Sequence, residues 1–154
     1  MKKDVVAGLG EIGYPILKLL SKKQTTVGYD IDKSSMNESK FKTLQDTQTS
    51  FLHIAIPVTT KFDSNILELN KKFKPECIVI HSTISPGTTE RIQKKLSIPV
   101  IYSATRGVHK RMIYDLKRYT KFFVISPNAP RGKWASSRYV KLMKHCGIKT
   151  KKMS

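Results

Sequence analysis

Gly8-Leu9-Gly10-Glu11-Ile12-Gly13 is the stretch on which the reading of this chain turns, three glycines at G-x-G-x-x-G spacing. It follows Asp4-Val5-Val6-Ala7, a short apolar, β-branched run that reads as a buried strand. It opens a segment from Glu11 to Lys22 in which Ile12, Ile16, Leu17, Leu19 and Leu20 recur at three- and four-residue spacing, the pattern of a helix with Pro15 in its first turn. Strand, glycine turn and helix in that order give each glycine a task. Gly8 permits the tight turn, Gly10 lets backbone approach a pyrophosphate, and Gly13 allows the helix to pack close on the strand. The helix N-terminus offers free N–H groups and a positive dipole end to the phosphates. Thr25 to Tyr29 reads as a second strand, and Asp30 at its end follows Gly10 by twenty positions. A carboxylate there accepts hydrogen bonds from the adenosine ribose hydroxyls and repels a 2′-phosphate, so the pattern implies NAD rather than NADP. Glu11 reads either as a cofactor contact or as a helix-start residue favoured by the dipole.

The alternation continues. Phe51 to Ile56 is a third strand stopped by Pro57, Phe62 to Phe73 an amphipathic helix, and Cys77 to Ile80 a fourth strand. Thr88 to Leu96 reads as a helix, Val100 to Tyr102 and Phe122 to Ile125 as strands, and about Gly132 to His145 as a last helix. Residues 33–50 are polar and weakly periodic, one short helix and a loop. Strands spaced by helices, and nearly unbroken in their apolar character, predict a Rossmann-like, doubly wound α/β fold: a mostly parallel sheet with helices on both faces. At 154 residues the chain is one domain's worth, and we expect residues 1–148 to form it and 149–154 to fray.

After the fourth strand comes His81-Ser82-Thr83-Ile84-Ser85-Pro86-Gly87-Thr88-Thr89. Ligands of doubly wound sheets sit at the carboxyl ends of strands, where Ser82 and Thr83 would reach the nicotinamide end of the cofactor. Thr88 or Thr89 would also serve as a cap for the next helix. With Gly8 to Gly13, Gly28-Tyr29-Asp30-Ile31 and Ala55-Ile56-Pro57, this stretch resembles the N-terminal NAD-binding domain of the UDP-glucose/GDP-mannose dehydrogenase family, over roughly residues 3–126. The β-hydroxyacid dehydrogenases, including the 6-phosphogluconate type, share the first motif and a looser form of the second. The resemblance implies Gly8, Leu9, Gly10, Glu11, Ile12, Gly13, Asp30, Pro57, Ser82 and Thr83 as the NAD-binding set. It also implies NAD-dependent oxidation of a sugar nucleotide's primary alcohol to a carboxylate through a cysteine thioester. The chain departs from that family in three places. The segment between Asp30 and Phe51 is short, Arg106 stands where the family has a catalytic-loop glutamate, and no counterpart appears for the central helix or the nucleophilic cysteine beyond it. We therefore transfer no catalytic residue and expect turnover to need a homodimer partner or a separate substrate-domain chain. The alternatives are a non-catalytic NAD-binding regulator and a cofactor domain of the β-hydroxyacid or 6-phosphogluconate dehydrogenase type, with a nucleic-acid-binding protein the less favoured reading.

Charge is lopsided. Residues 1–77 hold 12 Lys, no Arg and 9 acids, whereas residues 78–154 hold 11 Lys, 6 Arg and only Glu90 and Asp115, so +15 of the net +18 lies in the second half. That half would meet an anionic nucleotide-sugar. Arg106, beside Gly107 at the end of the fifth strand, is read as a phosphate or carboxylate contact, and His109 as a possible substrate base, with a surface role the alternative for both. Tyr114, Tyr119, Trp134 and Tyr139 interleave with basic residues, but no nucleic-acid motif is present and we do not expect a nucleic-acid partner. Cys77 and Cys146 have no metal-ligand spacing, so no metal is expected. No apolar run approaches the ~20 residues a membrane span requires, and no targeting segment is read. A cytoplasmic, reduced protein is expected.

Overall fold

A computed structural model of the chain describes residues 1–107 and 109–154, and of His109 the backbone only. The apolar runs become strands: β1 (Lys2–Ala7), β2 (Thr26–Tyr29), β3 (Gln48–Ile54), β4 (Cys77–Ile80), β5 (Val100–Tyr102), β6 (Lys121–Ile125) and β7 (Thr150–Lys152). They make one sheet in the order β2-β1-β3-β4-β5-β6-β7, parallel except where β6 runs antiparallel to β5. The helices are α1 (Gly13–Ser21), α2 (Glu38–Thr43), α3 (Phe62–Phe73), α4 (Thr88–Gln93), α5 (Met112–Arg118) and α6 (Gly132–His145), with 3₁₀ turns at Lys33–Ser35 and His109–Arg111.

This is the doubly wound α/β architecture. Successive side chains of a strand point to opposite faces, so each interior strand feeds two cores. On one face Val5, Leu52, Ile54, Ile78 and Ile80 pack with Phe62 and Ile66 of α3 and Ile92 of α4. On the other, Val6, Phe51, Val79, Ile101 and Phe123 pack with residues of α1, α5 and α6. Complete burial of a side chain such as Ile66 is worth about 2–3 kcal/mol.

Two expectations need correction. Residues 149–154 do not fray: Lys121 donates its N–H to the Lys149 carbonyl at 2.8 Å, and Met153 donates to the Phe123 carbonyl at 2.8 Å, so the tail is drawn into the sheet as β7. Main-chain pairing with β6 outweighs the poor strand character of Thr-Lys-Lys. Neither Thr88 nor Thr89 caps α4, whose N-cap is Gly87 at φ +88°; Thr88 is the first helical residue, and its hydroxyl lies 3.3 Å from that of Ser85.

Six buried polar residues, Asp4, His53, His81, Ser103, Lys121 and Tyr139, cross the α1/α5/α6 face. The Asp4 carboxylate accepts the Phe51 N–H at 3.2 Å and lies 2.9 Å from His53 Nε2, while His53 Nδ1 lies 2.9 Å from His81 Nε2. Neutral rings satisfy this chain when each carries its proton on Nε2, His81 donating to His53 and His53 to Asp4. Further along, Lys121 Nζ donates to the Ser103 carbonyl and, at 3.1 Å, to Thr105 Oγ1, and Tyr139 donates to Ser103 Oγ at 2.8 Å. Burial lowers Lys121 to about 7. Burial, with help from Lys121 and His53, holds His81 well below its ordinary value.

Because folding depresses the Lys121 value, the unfolded chain binds more protons above pH 7, and stability rises with pH there. The buried Cys77 thiol, pushed up by burial, cancels this rise once unfolded thiols ionise, and Cys146, raised chiefly by burial too, opposes it further, which confines the window to about pH 7–8.5. Lys121 accounts for about 1.5 kcal/mol across that window, or roughly 3–6 °C in Tm. Lys121→Met, which keeps the stem and removes the charge, should flatten that part of the Tm-against-pH curve; an unchanged slope would refute the assignment.

Candidate functional site

The sheet order reverses direction between β1 and β3, and the glycine turn leaves β1 at that crevice. Gly8 adopts φ +92°, donates its N–H to the Tyr29 carbonyl at 2.9 Å, and sits so close to β3 that a Cβ would lie 2.5 Å from the Ala55 oxygen. Gly13 is tighter still, its would-be Cβ only 1.6 Å from the Gly8 oxygen. Gly10 differs from both: nothing stands within 4 Å of where its Cβ would be. Two of the glycines are thus demanded by packing, and the third borders open space at the start of α1.

Asp30 is fixed beside this turn. One carboxylate oxygen accepts the Leu9 N–H at 2.8 Å and the other accepts the Asp32 N–H at 2.9 Å. An ionised carboxylate has about four acceptor positions, so two remain for incoming hydroxyls. A groove of about 350 Å³ runs from here, lined by Gly8, Asp30, Ile56 and Pro57 and by Leu69 and Lys72 of α3. Tyr29 lines it too and packs against Phe41 and Phe73 at 5.7 and 5.4 Å. Across the glycine turn lies a second groove of about 570 Å³, bordered by Gly10, Glu11, Tyr14, Lys18, Lys110 and Tyr114.

The residues singled out from sequence therefore sort into groups. Gly8, Asp30 and Pro57 share the first groove, Gly10 and Glu11 the second, and Leu9 contributes its N–H to Asp30. Ile12 is half-buried against the core as the N-cap of α1. Ser82 is buried and donates its hydroxyl to the Ile56 carbonyl at 2.7 Å, tying the end of β4 to the groove wall; Thr83 beside it is exposed. Arg106 stacks 5.1 Å from the Tyr119 ring and lines small cavities near Phe122 and Leu116, which no glycine of the turn borders. The side chain of His109 lies outside the described residues. Cys146 is buried and its thiol is pushed up chiefly by burial, the opposite of what a nucleophile needs.

The α3 wall of the groove was not read from sequence as part of a site. Its signal is the spacing of Asn65, Glu68, Leu69 and Lys72, one stripe of a helix beside the apolar positions that form the core. Among the described residues no group of three or more His, Cys, Asp or Glu is placed to hold a metal, and no helix is long and apolar enough to cross a membrane.

No protein-family model and no curated protein matches the chain. Solved structures do. UDP-D-ManNAc dehydrogenase from Pyrococcus horikoshii superposes with a TM-score of 0.77 over 99% of this chain and 47% of that one, at 17% identity. NDP-N-acetyl-D-galactosaminuronic acid dehydrogenase from Methanosarcina mazei Go1 gives 0.75 over 100% and 44%, at 18% identity. Prephenate dehydrogenase from A. aeolicus, solved with hydroxyphenyl propionate and NAD+, gives 0.70 over 100% and 60%, at 15% identity. The chain spans about half the length of the structures it matches. What is common to them over this chain is the Rossmann-like α/β fold.

The glycine geometry separates packing from access. Gly13→Ala should cost roughly 3 kcal/mol or more, because the clash is with backbone and cannot be relieved by a side chain moving. Gly10→Ala should change stability by no more than about 1 kcal/mol. Thermal melting of the two variants checks this, and equal losses would overturn the distinction.

Proposed function

We propose that this chain is the NAD-binding part of a dehydrogenase acting on CH–OH donors, with a sugar nucleotide as the substrate class. The observation that carries the reading is the pairing of an open Gly10 with Asp30 held at the groove mouth. The turn from Gly8 to Gly13 would hold the pyrophosphate on backbone N–H groups at the start of α1, where no Cβ intrudes and the dipole favours negative charge. Asp30 would accept from the ribose hydroxyls with the acceptor positions that Leu9 and Asp32 leave, and its charge disfavours a 2′-phosphate. Ile56, Pro57 and Leu69 offer apolar walls of the kind an adenine ring fits. Ser82 holds β4 against β3 at the ligand edge, and Thr83 is exposed next to it.

The nicotinamide, when bound, supplies hydride acceptance; the chain's residues bind and orient it. The likeness to sugar-nucleotide dehydrogenases, together with the Ser82-Thr83-Ile84-Ser85-Pro86-Gly87-Thr88-Thr89 stretch, supports the substrate class. Arg106 and His109 are the residues we assign to the anionic substrate, with Lys110 on the second groove and residues from a second polypeptide or a second copy completing its site.

Calorimetry should show NAD+ binding in preference to NADP+. Gly10→Val should lower that affinity at least tenfold, about 1.4 kcal/mol, with little change in Tm. Asp30→Ala should weaken NAD+ and narrow the preference over NADP+. Absence of NAD+ binding at millimolar concentration, or unchanged binding by Gly10→Val, would refute the cofactor assignment. NADH formation with a panel of UDP- and GDP-sugars tests the substrate class.

A further inference from the structure

The two helical layers that sandwich the sheet carry different kinds of charge pattern. On the α3/α4 side the signs are mixed and paired: Asp63 takes Arg91 in a two-pronged contact at 2.5 and 3.2 Å, with Glu68 and Glu90 nearby in sequence on the same two helices. On the α1/α5/α6 side, the three helices contain a single acid, Asp115, and it is fully buried. Lys18 of α1, Lys117 and Arg118 of α5, and Lys133, Arg138 and Lys141 of α6 are all exposed. The sequence asymmetry, fourteen Lys and Arg against Asp115 over residues 100–154, is thus in large part an asymmetry of faces.

Against the expectation drawn from the absence of a nucleic-acid motif, we propose that this α1/α5/α6 face docks the phosphodiester backbone of a nucleic acid, without reading its sequence and so without needing such a motif. Arg131, Arg138, Lys141 and His145 fall at helical spacing along α6, a stripe about 21 Å long on a 14-residue helix. That length faces about six phosphates of one duplex strand. Three guanidiniums are steadied by rings, Arg131 lying 4.0 Å and Arg138 6.0 Å from the centroid of Trp134 and Arg118 5.2 Å from that of Tyr119, while Arg111 pairs with Asp115 at 3.5 Å. Such stacking restricts the side chain while leaving its charge and edge donors for phosphate oxygens. A lipid surface fits less well. The exposed large hydrophobics of these helices are Tyr14, Tyr114 and Val140, and Trp134 packs edge-on against Phe51, so the face lacks the apolar ridge that enters a bilayer interface. The α1 edge of this face, at Lys18, borders the groove beside Gly10, whereas no residue of α6 lines that groove, and the proposal does not rest on the cofactor reading.

Fluorescence anisotropy with labelled single-stranded RNA, single-stranded DNA and duplex DNA provides the test. Binding at low salt should weaken with a log–log slope of roughly −3 to −5 in salt concentration. The exposed triple variant Arg138→Gln/Lys141→Gln/Lys144→Gln should lose at least tenfold in affinity while keeping its Tm. The matched triple Lys71→Gln/Lys94→Gln/Lys95→Gln on the opposite layer should lose less than about threefold, the effect of net charge alone. Gly10→Val should bind as the parent does. The proposal is overturned if neither RNA nor DNA binds, if the two triples lose affinity equally, or if poly-glutamate or phosphatidylserine vesicles are retained as well as nucleic acid.

Discussion

The N-terminus of α1 rests on a backbone carbonyl, and the site is arranged around that contact. Gly13 meets the Gly8 oxygen at a distance no side chain would allow, while Gly8, in a left-handed conformation, is pressed against Ala55 just beyond β3. The surrounding strand ends are stitched to the same point: Gly8 bonds Tyr29 at the end of β2, Ala55 bonds Ala7 of β1, and Ser82 after β4 bonds Ile56. Four strands therefore terminate in one rigid rim. Asp30 and the groove inherit their positions from it, and only Gly10 is left unfilled.

Much of this frame was legible in the sequence because it depends on local pattern. Residues 62–73 and 132–145 are helices, and residues 77–80 and 100–102 strands, where periodicity and apolar runs put them, and the glycine spacing located the rim. What escaped depends on tertiary pairing. Met112, Ile113 and Leu116 are embedded in a run of bases and look like a charged loop, yet Met112 and Leu116 are buried in the core that also holds residues of α1 and α6, which makes α5. β7 exists because α6 returns the chain beside β6. The α3 wall of the groove looked like core pattern alone, since a helix that covers a sheet and lines a cleft uses adjacent stripes for the two purposes.

Nothing in sequence spacing joins Asp4, His53 and His81, whereas the parallel register sets them diagonally on one face: His53 of β3 lies opposite Val6 and Val79, with Asp4 two residues before the one and His81, just past β4, two residues after the other. One face of the sheet is nearly all aliphatic; the other threads this hydrogen-bonded chain through its core. A one-residue slip of β4 against β3 would send His81 to the aliphatic face and leave a buried ring nitrogen of His53 without its partner, so the polar chain discriminates against misregister in a way the aliphatic face does not.

β7 also ends the sheet, and an outermost strand offers unpaired amides and carbonyls to any extended peptide that meets it. Here that strand is three residues long and presents Lys151 and Lys152 to solvent. Two such edges brought together would crowd four ammonium groups with no carboxylate on either strand between them. The shortness and charge of this strand therefore guard the protein against strand-to-strand aggregation through its own sheet.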